Sequence, residues 1–359
     1  MNYLALLAHF PKITYARYKK LMNRFPEPEQ AWLAEIPELI QAGWEEGIAH
    51  EFIAWREKIE PEKILELLAR ENIATLSIAE KNYPELLKQI ADPPHTLFIR
   101  GKISDSSAPS IAIVGTRNYT SYGKQAADEI ASALAERGII VVSGLALGID
   151  GIAHEAILHA HGKTIAVLGC GVDRDTIYPS AHRNLAERII FQGGAIISEY
   201  PPEFKPTQYS FPARNRIIAG LTLGTIVIEA AEESGALITA KCALDYNREV
   251  MAVPHPITSD RGKGTNNLIK QGAALITSAQ DVMEVLNLKN IKEIISNREN
   301  LPTSPTETAI LQTLSKEPVH VDMIIKKTGL GSGATMSTLT LLEMKGRIKN
   351  TGGMMYVIR

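Results

Sequence analysis

Hydrophobic positions follow two rhythms along this chain. Up to about residue 70 they recur at three- and four-residue spacing, as in Tyr3, Leu4, Leu7, Ala8 and Phe10 and again in Tyr18, Leu21, Met22 and Phe25. That is the period of an amphipathic helix, and Pro11, Pro26, Pro28 and Pro37 divide it into short helices. From Ile111 the rhythm changes. Short β-branched runs (IAIVG, IIVVSG, TIAVLG, AIIS, TIVIEA and VMAVP) alternate with stretches that predict helices over 121–137, 148–161, 180–192, 213–221 and 235–247. Continuously apolar strands alternating with helices imply a parallel sheet covered on both faces, which holds ligands at the carboxyl ends of its strands.

The segment 83–102 predicts a helix, a Pro-Pro turn and a strand ending at Gly101. Beyond a polar stretch, residues 303–359 predict three helices and a hairpin turning at Thr351-Gly352-Gly353, the arrangement of a winged helix. The expected fold class is therefore α/β: a Rossmann-like parallel sheet with helices on both faces. A small helical domain of the SAM or helix-hairpin-helix type precedes it, and a winged helix follows. The corresponding divisions are 1–70 helical, 71–103 connecting extension, 104–288 Rossmann-like, 289–302 linker and 303–359 winged helix.

Composition narrows the class of protein. Forty-five per cent hydrophobic and 22% charged residues describe a soluble globular chain, and no apolar run reaches the roughly 18 residues that span a bilayer. The first residues place their apolar stretch before the basic ones and do not read as a secretory signal. Two cysteines, Cys170 and Cys242, make neither a disulfide framework nor a metal site, which suits a reducing cytoplasm. With 38 basic against 40 acidic residues, any affinity for a polyanion must come from local clusters. The N-terminal segment is an unpromising one: residues 1–103 carry 13 basic and 15 acidic side chains, and the Lys12–Lys20 turn lacks the glycines that let a hairpin approach phosphate. The winged-helix segment has a small basic excess, compatible with contact to DNA or to protein.

The loops after the strands carry the chemistry. Gly115-Thr116-Arg117 ends the first run, followed by a helix whose N-terminal N–H groups favour an anion, and Arg117 adds a planar fork suited to phosphate. Ser143 and Gly144 begin a second loop of the same design. In the third, GCGVDRDTIYP, a Gly-x-Gly stands after the wrong strand with Arg174 where a dinucleotide fingerprint has its last glycine, which argues against an ordinary NAD enzyme. The block Phe211 to Leu221 sets Arg214, Asn215 and Arg216 beside Phe211 and Tyr209, which joins charge for a backbone to rings for unstacked bases. Lys241 follows Ser234 and Gly235 at another helix start. Residues 104–288 hold 15 basic and 19 acidic side chains, so the cations must gather on one rim. Asp150 and His154, one helical turn apart, are expected to pair and fix their turn rather than act as acid and base. No nucleophile–histidine pair and no metal-ligand cluster stands out.

With these segments in view the chain resembles the DNA-processing protein A family (DprA, also called Smf). DPPHTLFIRG, VGTRNYTSYG, SGLALGIDGIAH, LGCGVDRDTIYP, SEYPP, FPARNRIIAGL and SGALITAKCAL occur in the family's order across residues 83–256. The resemblance implies a non-enzymatic protein that binds single-stranded DNA, protects incoming DNA in natural transformation, loads a RecA-type recombinase and forms a homodimer through the Rossmann-like domain. It needs no cofactor and no metal. By the same resemblance the DNA-binding residues are Gly115, Thr116, Arg117, Ser143, Gly144, Phe211, Arg214, Asn215, Arg216 and Lys241. Two departures stand out. Gln208 occupies a position where many members have lysine, leaving Lys205 as the substitute, and Pro254-His255-Pro256 replaces a usual Pro-Gly. The alternative is a nucleotide-cleaving phosphoribohydrolase of the lysine-decarboxylase-like Rossmann group. Its Pro-Gly-Gly-x-Gly-Thr-x-x-Glu signature is missing from IEAAEESGALITA.

Overall fold

The computed structural model describes residues 1–103, 108–288, 305–315, 318–344 and 348–358. These fall into two compact units, Met1–Asn287 and Leu288–Arg359. The linker expected over 289–302 lies outside the described residues.

In the first unit nine strands form one sheet: β1 (Ala74–Ser77), β2 (Thr96–Gly101), β3 (Ser110–Val114), β4 (Ile140–Ser143), β5 (Thr164–Val167), β6 (Ala195–Ser198), β7 (Gly224–Val227), β8 (Glu249–Ala252) and β9 (Ala274–Leu275). Their order is β1-β2-β6-β5-β4-β3-β7-β8-β9. From β6 to β9 all neighbours are parallel, whereas β2 runs antiparallel to β6 and β1 to β2. The sheet is thus mixed. The segment expected as a connecting extension supplies its two antiparallel strands, because the apolar run Leu97, Phe98 and Ile99 completes the core beside β6.

Strands β4, β5, β6 and β7 are buried along their whole length, as their unbroken apolar pattern demands. Helices Ser121–Glu136, Ile149–His159, Arg183–Phe191, Ser210–Gly220 and Ala236–Asp245 occupy the connections. After β3 the chain winds one way to β4, β5 and β6, and then returns to place β7 on the other side of β3. This makes the carboxyl ends of β3 and β7 the switch point of the sheet.

The N-terminal helices enclose a core of Leu6, Leu7, Phe10, Leu21, Trp32, Trp44 and Phe52. Tyr18 leaves that core to stack on His95 at 4.7 Å, and its hydroxyl meets Ser77 Oγ at 3.0 Å. Three of the cations of the Lys12–Lys20 turn are engaged within the fold. Lys12 pairs with Glu51 (2.5 Å), Arg17 with Glu45 (3.1 Å), and Lys20 Nζ donates to the Gly43 carbonyl (2.7 Å). These contacts describe a packing domain.

In the second unit, helices Pro305–Thr313, Val321–Thr328 and Ser332–Met344 surround Ile310, Ile324, Leu339, Leu342 and Tyr356. Strands β10 (Val319–His320), β11 (Ile348–Gly352) and β12 (Met355–Ile358) form the wing in the order β10-β12-β11. No helix among the described residues is long and apolar enough to cross a membrane.

Candidate nucleic-acid interface

The loop leaving β3 is held at both ends by one residue of β7's extension. Thr116 N–H donates to the Glu229 carbonyl (2.8 Å), while Thr120 gives both its N–H and its hydroxyl to Glu229 Oε2 (3.0 and 3.2 Å). Thr120 Oγ1 in turn accepts from Gly123 N–H, which caps the helix that follows. Glu229 is fully buried. Its trace in the sequence is a single carboxylate ending the apolar run TIVI, a signal that points to a buried polar partner without naming one. The loop next meets the turn after β4, where Ile149 N–H donates to the Thr116 carbonyl (3.2 Å). Gly148 there has φ +87°, and a β-carbon on it would strike that same carbonyl, so only glycine lets the two loops touch.

Arg117 stands exposed on this framework with its guanidinium 5.7 Å from the centre of the Phe211 ring, within cation–π range. The Tyr178 ring is tilted against Phe211 with centroids 5.6 Å apart. Together with Gly144, Ala146, Leu147, Pro179 and Arg214 they line a shallow pocket that opens to solvent.

Arg214 forms the pocket's floor and is only 5% exposed. Its Nη1 donates to the Gly144 and Val167 carbonyls and its Nε to Asn215 Oδ1 (3.0 Å), tying the ends of β4 and β5 together. A β-carbon on Gly144 would occupy the place of that guanidinium. Asp150, also buried, accepts from Gly144 N–H at 3.0 Å. Burial pushes the Asp150 carboxyl up, against the opposing pull of Arg214. Asp150 therefore fixes its turn as expected, but His154 is not its partner. His154 Nδ1 meets Thr164 Oγ1 at 2.8 Å, and burial, with His182 and Arg214 nearby, holds the ring neutral with a pKa of about 3.

Of the residues singled out in the sequence, Arg117, Gly144, Phe211 and Arg214 share the pocket, whereas Gly115 and Thr116, half-buried in the loop that leads to Arg117, do not line it. Ser143 is buried with its hydroxyl on the Ile113 carbonyl (2.6 Å). Asn215 Nδ2 reaches the Gly235 carbonyl at 3.3 Å. Arg216 is taken up by Glu199 (2.5 Å) and Asp92 (3.6 Å), a network joining two loops. Lys205 and Lys241 are exposed and line no part of the pocket. Sequence reasoning passed over Tyr178 and Leu147, which carry no charge and follow no local pattern. At the Pro254-His255-Pro256 departure the backbone is firmly held: Asn266 accepts from His255 N–H and donates to its carbonyl, each at 3.0 Å. Among the described residues no group of three or more His, Cys, Asp or Glu is placed to hold a metal.

A doubly wound sheet with an arginine–aromatic pocket at its switch point, joined in one chain to a winged helix, defines a Rossmann-type binding protein of composite build. The chain belongs to the DNA recombination-mediator protein A family: that family's model matches residues 74–287, and the DprA winged helix domain matches residues 296–354. It is 36% identical to Protein Smf of Synechocystis over 94% of each chain. It is also 43% identical to the DNA processing protein DprA of Bacillus subtilis over 64% of this chain and 77% of that one. Among solved structures, DprA from Streptococcus pneumoniae superposes with a TM-score of 0.68 at 33% identity, covering 79% of this chain and 97% of that one. DNA processing protein A from Helicobacter pylori, solved to describe its single-stranded DNA binding mode, superposes with a TM-score of 0.53 at 33% identity over 60% and 95%.

Proposed function

We propose that the protein binds single-stranded DNA in the pocket at the sheet's switch point, as a binding protein rather than an enzyme. The observation that carries this reading is Arg117 poised over the Phe211 ring at an open rim. A phosphate needs the exposed fork, and an unstacked base needs the ring. Buried Arg214 sets the pocket's shape from below, and Lys205 and Lys241 supply the outer positive field. The single-strand binding of the Helicobacter pylori relative supports the same assignment. The wider role is protection of incoming DNA and delivery to a RecA-type recombinase in natural transformation, in the cytoplasm. A homodimer forms through the Rossmann-like domain, where Ile238 and Leu244 on one helix and Leu275 on edge strand β9 leave apolar surface exposed. A phosphoribohydrolase reading finds no support at Glu229, whose carboxylate is buried against Thr120.

The test is a titration of single- and double-stranded oligonucleotides across a range of salt. Single strands bind more tightly, with log K falling by about 0.7 per neutralised phosphate for each tenfold rise in salt. Arg117→Ala weakens binding by about 1–3 kcal/mol and lowers that slope. Equal affinity for both strand forms, or an unaffected Arg117→Ala variant, defeats the assignment.

A further inference from the structure

We propose that Arg117 stands between two consecutive base positions, and that Tyr119 with Leu147 forms the second, in the groove between helices Ser121–Glu136 and Ile149–His159. The inference rests on the single-strand reading above and extends it. Arg117 and Leu147 line two depressions, the Phe211 pocket and a wider groove with about 1090 Å³ of open space. Tyr119 lines only the groove.

Tyr119 and Leu147 face solvent, at 41% and 47% exposure. Tyr119 is held through its backbone, where its carbonyl accepts from Arg261 Nη1 at 3.2 Å. Among the described residues its hydroxyl has no protein partner, so the ring is a free stacking platform. A strand presents phosphate and base in alternation. A guanidinium shared by the Phe211 pocket and the Tyr119 groove matches that alternation over one backbone step.

Charge sets the limit of the track. Lys124 lines the near end, exposed and without an ion-pair partner among the described residues. Further along, Asp128 and Glu155 line the same groove, and of the two Glu155 is neutralised by Arg188 at 2.8 Å. A phosphate is favoured beside Arg117 and Lys124 and disfavoured beyond, so the groove accepts one further nucleotide before the strand departs. Stacking uses the face that every base has, which leaves the position tolerant of sequence.

The full-length chain and its Tyr119→Ala, Tyr119→Phe and Arg117→Ala variants would be titrated with a single-stranded oligothymidylate. In parallel, wild-type protein would be photo-crosslinked to the same strand carrying 5-iodouracil, with adducts mapped by mass spectrometry. Loss of one stacked base weakens binding by about 5- to 150-fold, so Tyr119→Ala falls in that range while Tyr119→Phe keeps wild-type affinity. Adducts appear at Tyr119 as well as in the Phe211 pocket. Arg117→Ala weakened with Tyr119→Ala at wild-type affinity and no adduct at Tyr119 overturns the second position and leaves the single-strand reading standing. If neither variant binds more weakly, the single-strand reading itself falls.

Discussion

Three arginines of this site share a side chain and differ in what surrounds it. Arg117 is exposed over an aromatic ring, Arg214 is buried beneath the pocket, and Arg216 is committed to Glu199 and Asp92. The first can trade water for a ligand phosphate at little cost to the fold. The second cannot, because Arg214→Leu strips Asp150 of its counter-charge and leaves the Gly144 and Val167 carbonyls without their donor. Breaking a buried pair in this way costs about 3–5 kcal/mol, whereas an exposed substitution such as Arg117→Ala stays within about 0.5 kcal/mol. Denaturant unfolding of the two variants separates them. Equal stabilities would mean that Arg214 is not part of the scaffold.

At the scale of elements, the N-terminal helices are joined to the sheet through a titratable contact. His95, just before β2, is stacked under Tyr18, and burial holds its pKa down at about 4. His154, inside the helix after β4, is lowered to about 3. Both side chains are neutral in the native state but charge near 6.5 in the unfolded chain. As pH falls below 6.5 the unfolded state therefore binds more protons, and stability is lost down to the folded values, by about 1 kcal/mol per pH unit for each histidine. Asp150 and Glu199, raised by burial, act in the opposite direction, since the folded state keeps their protons to higher pH. The expected net result is a melting temperature that drops between pH 6.5 and 4, with a shallower drop in His95→Gln. A variant with the wild-type slope would remove His95 from the account.

For the whole molecule, the site lies entirely on residues of the first unit. A chain ending at Leu288 should therefore keep most of its affinity for single strands. Complete loss, measured by the same titration, would transfer the main site to the winged helix. The third helix of that domain, Ser332–Met344, contains no lysine or arginine, which argues that it contributes little phosphate affinity of its own.

Much of this was legible in the chain before folding. Period and composition set out the alternation of strands and helices from Ile111 to Val253 and the winged helix after it, because a buried strand must be continuously apolar and a covering helix must be two-faced. The glycines at strand ends, Arg117 after the first of them and the arginines that follow Phe211 also announced themselves, since anion sites need short side chains at helix starts. What one dimension does not hold is the order in which strands pair and the depth at which a charge settles. Only the folded sheet places β2 antiparallel to β6 and makes β3 and β7 neighbours at the switch point. Only packing decides that Arg214 is sealed under Gly144, that Arg216 answers Glu199, and that Tyr178 and Glu229 join the site from distant positions. Those outcomes depend on which surfaces exclude water together, and that is settled by contacts between residues far apart in the chain.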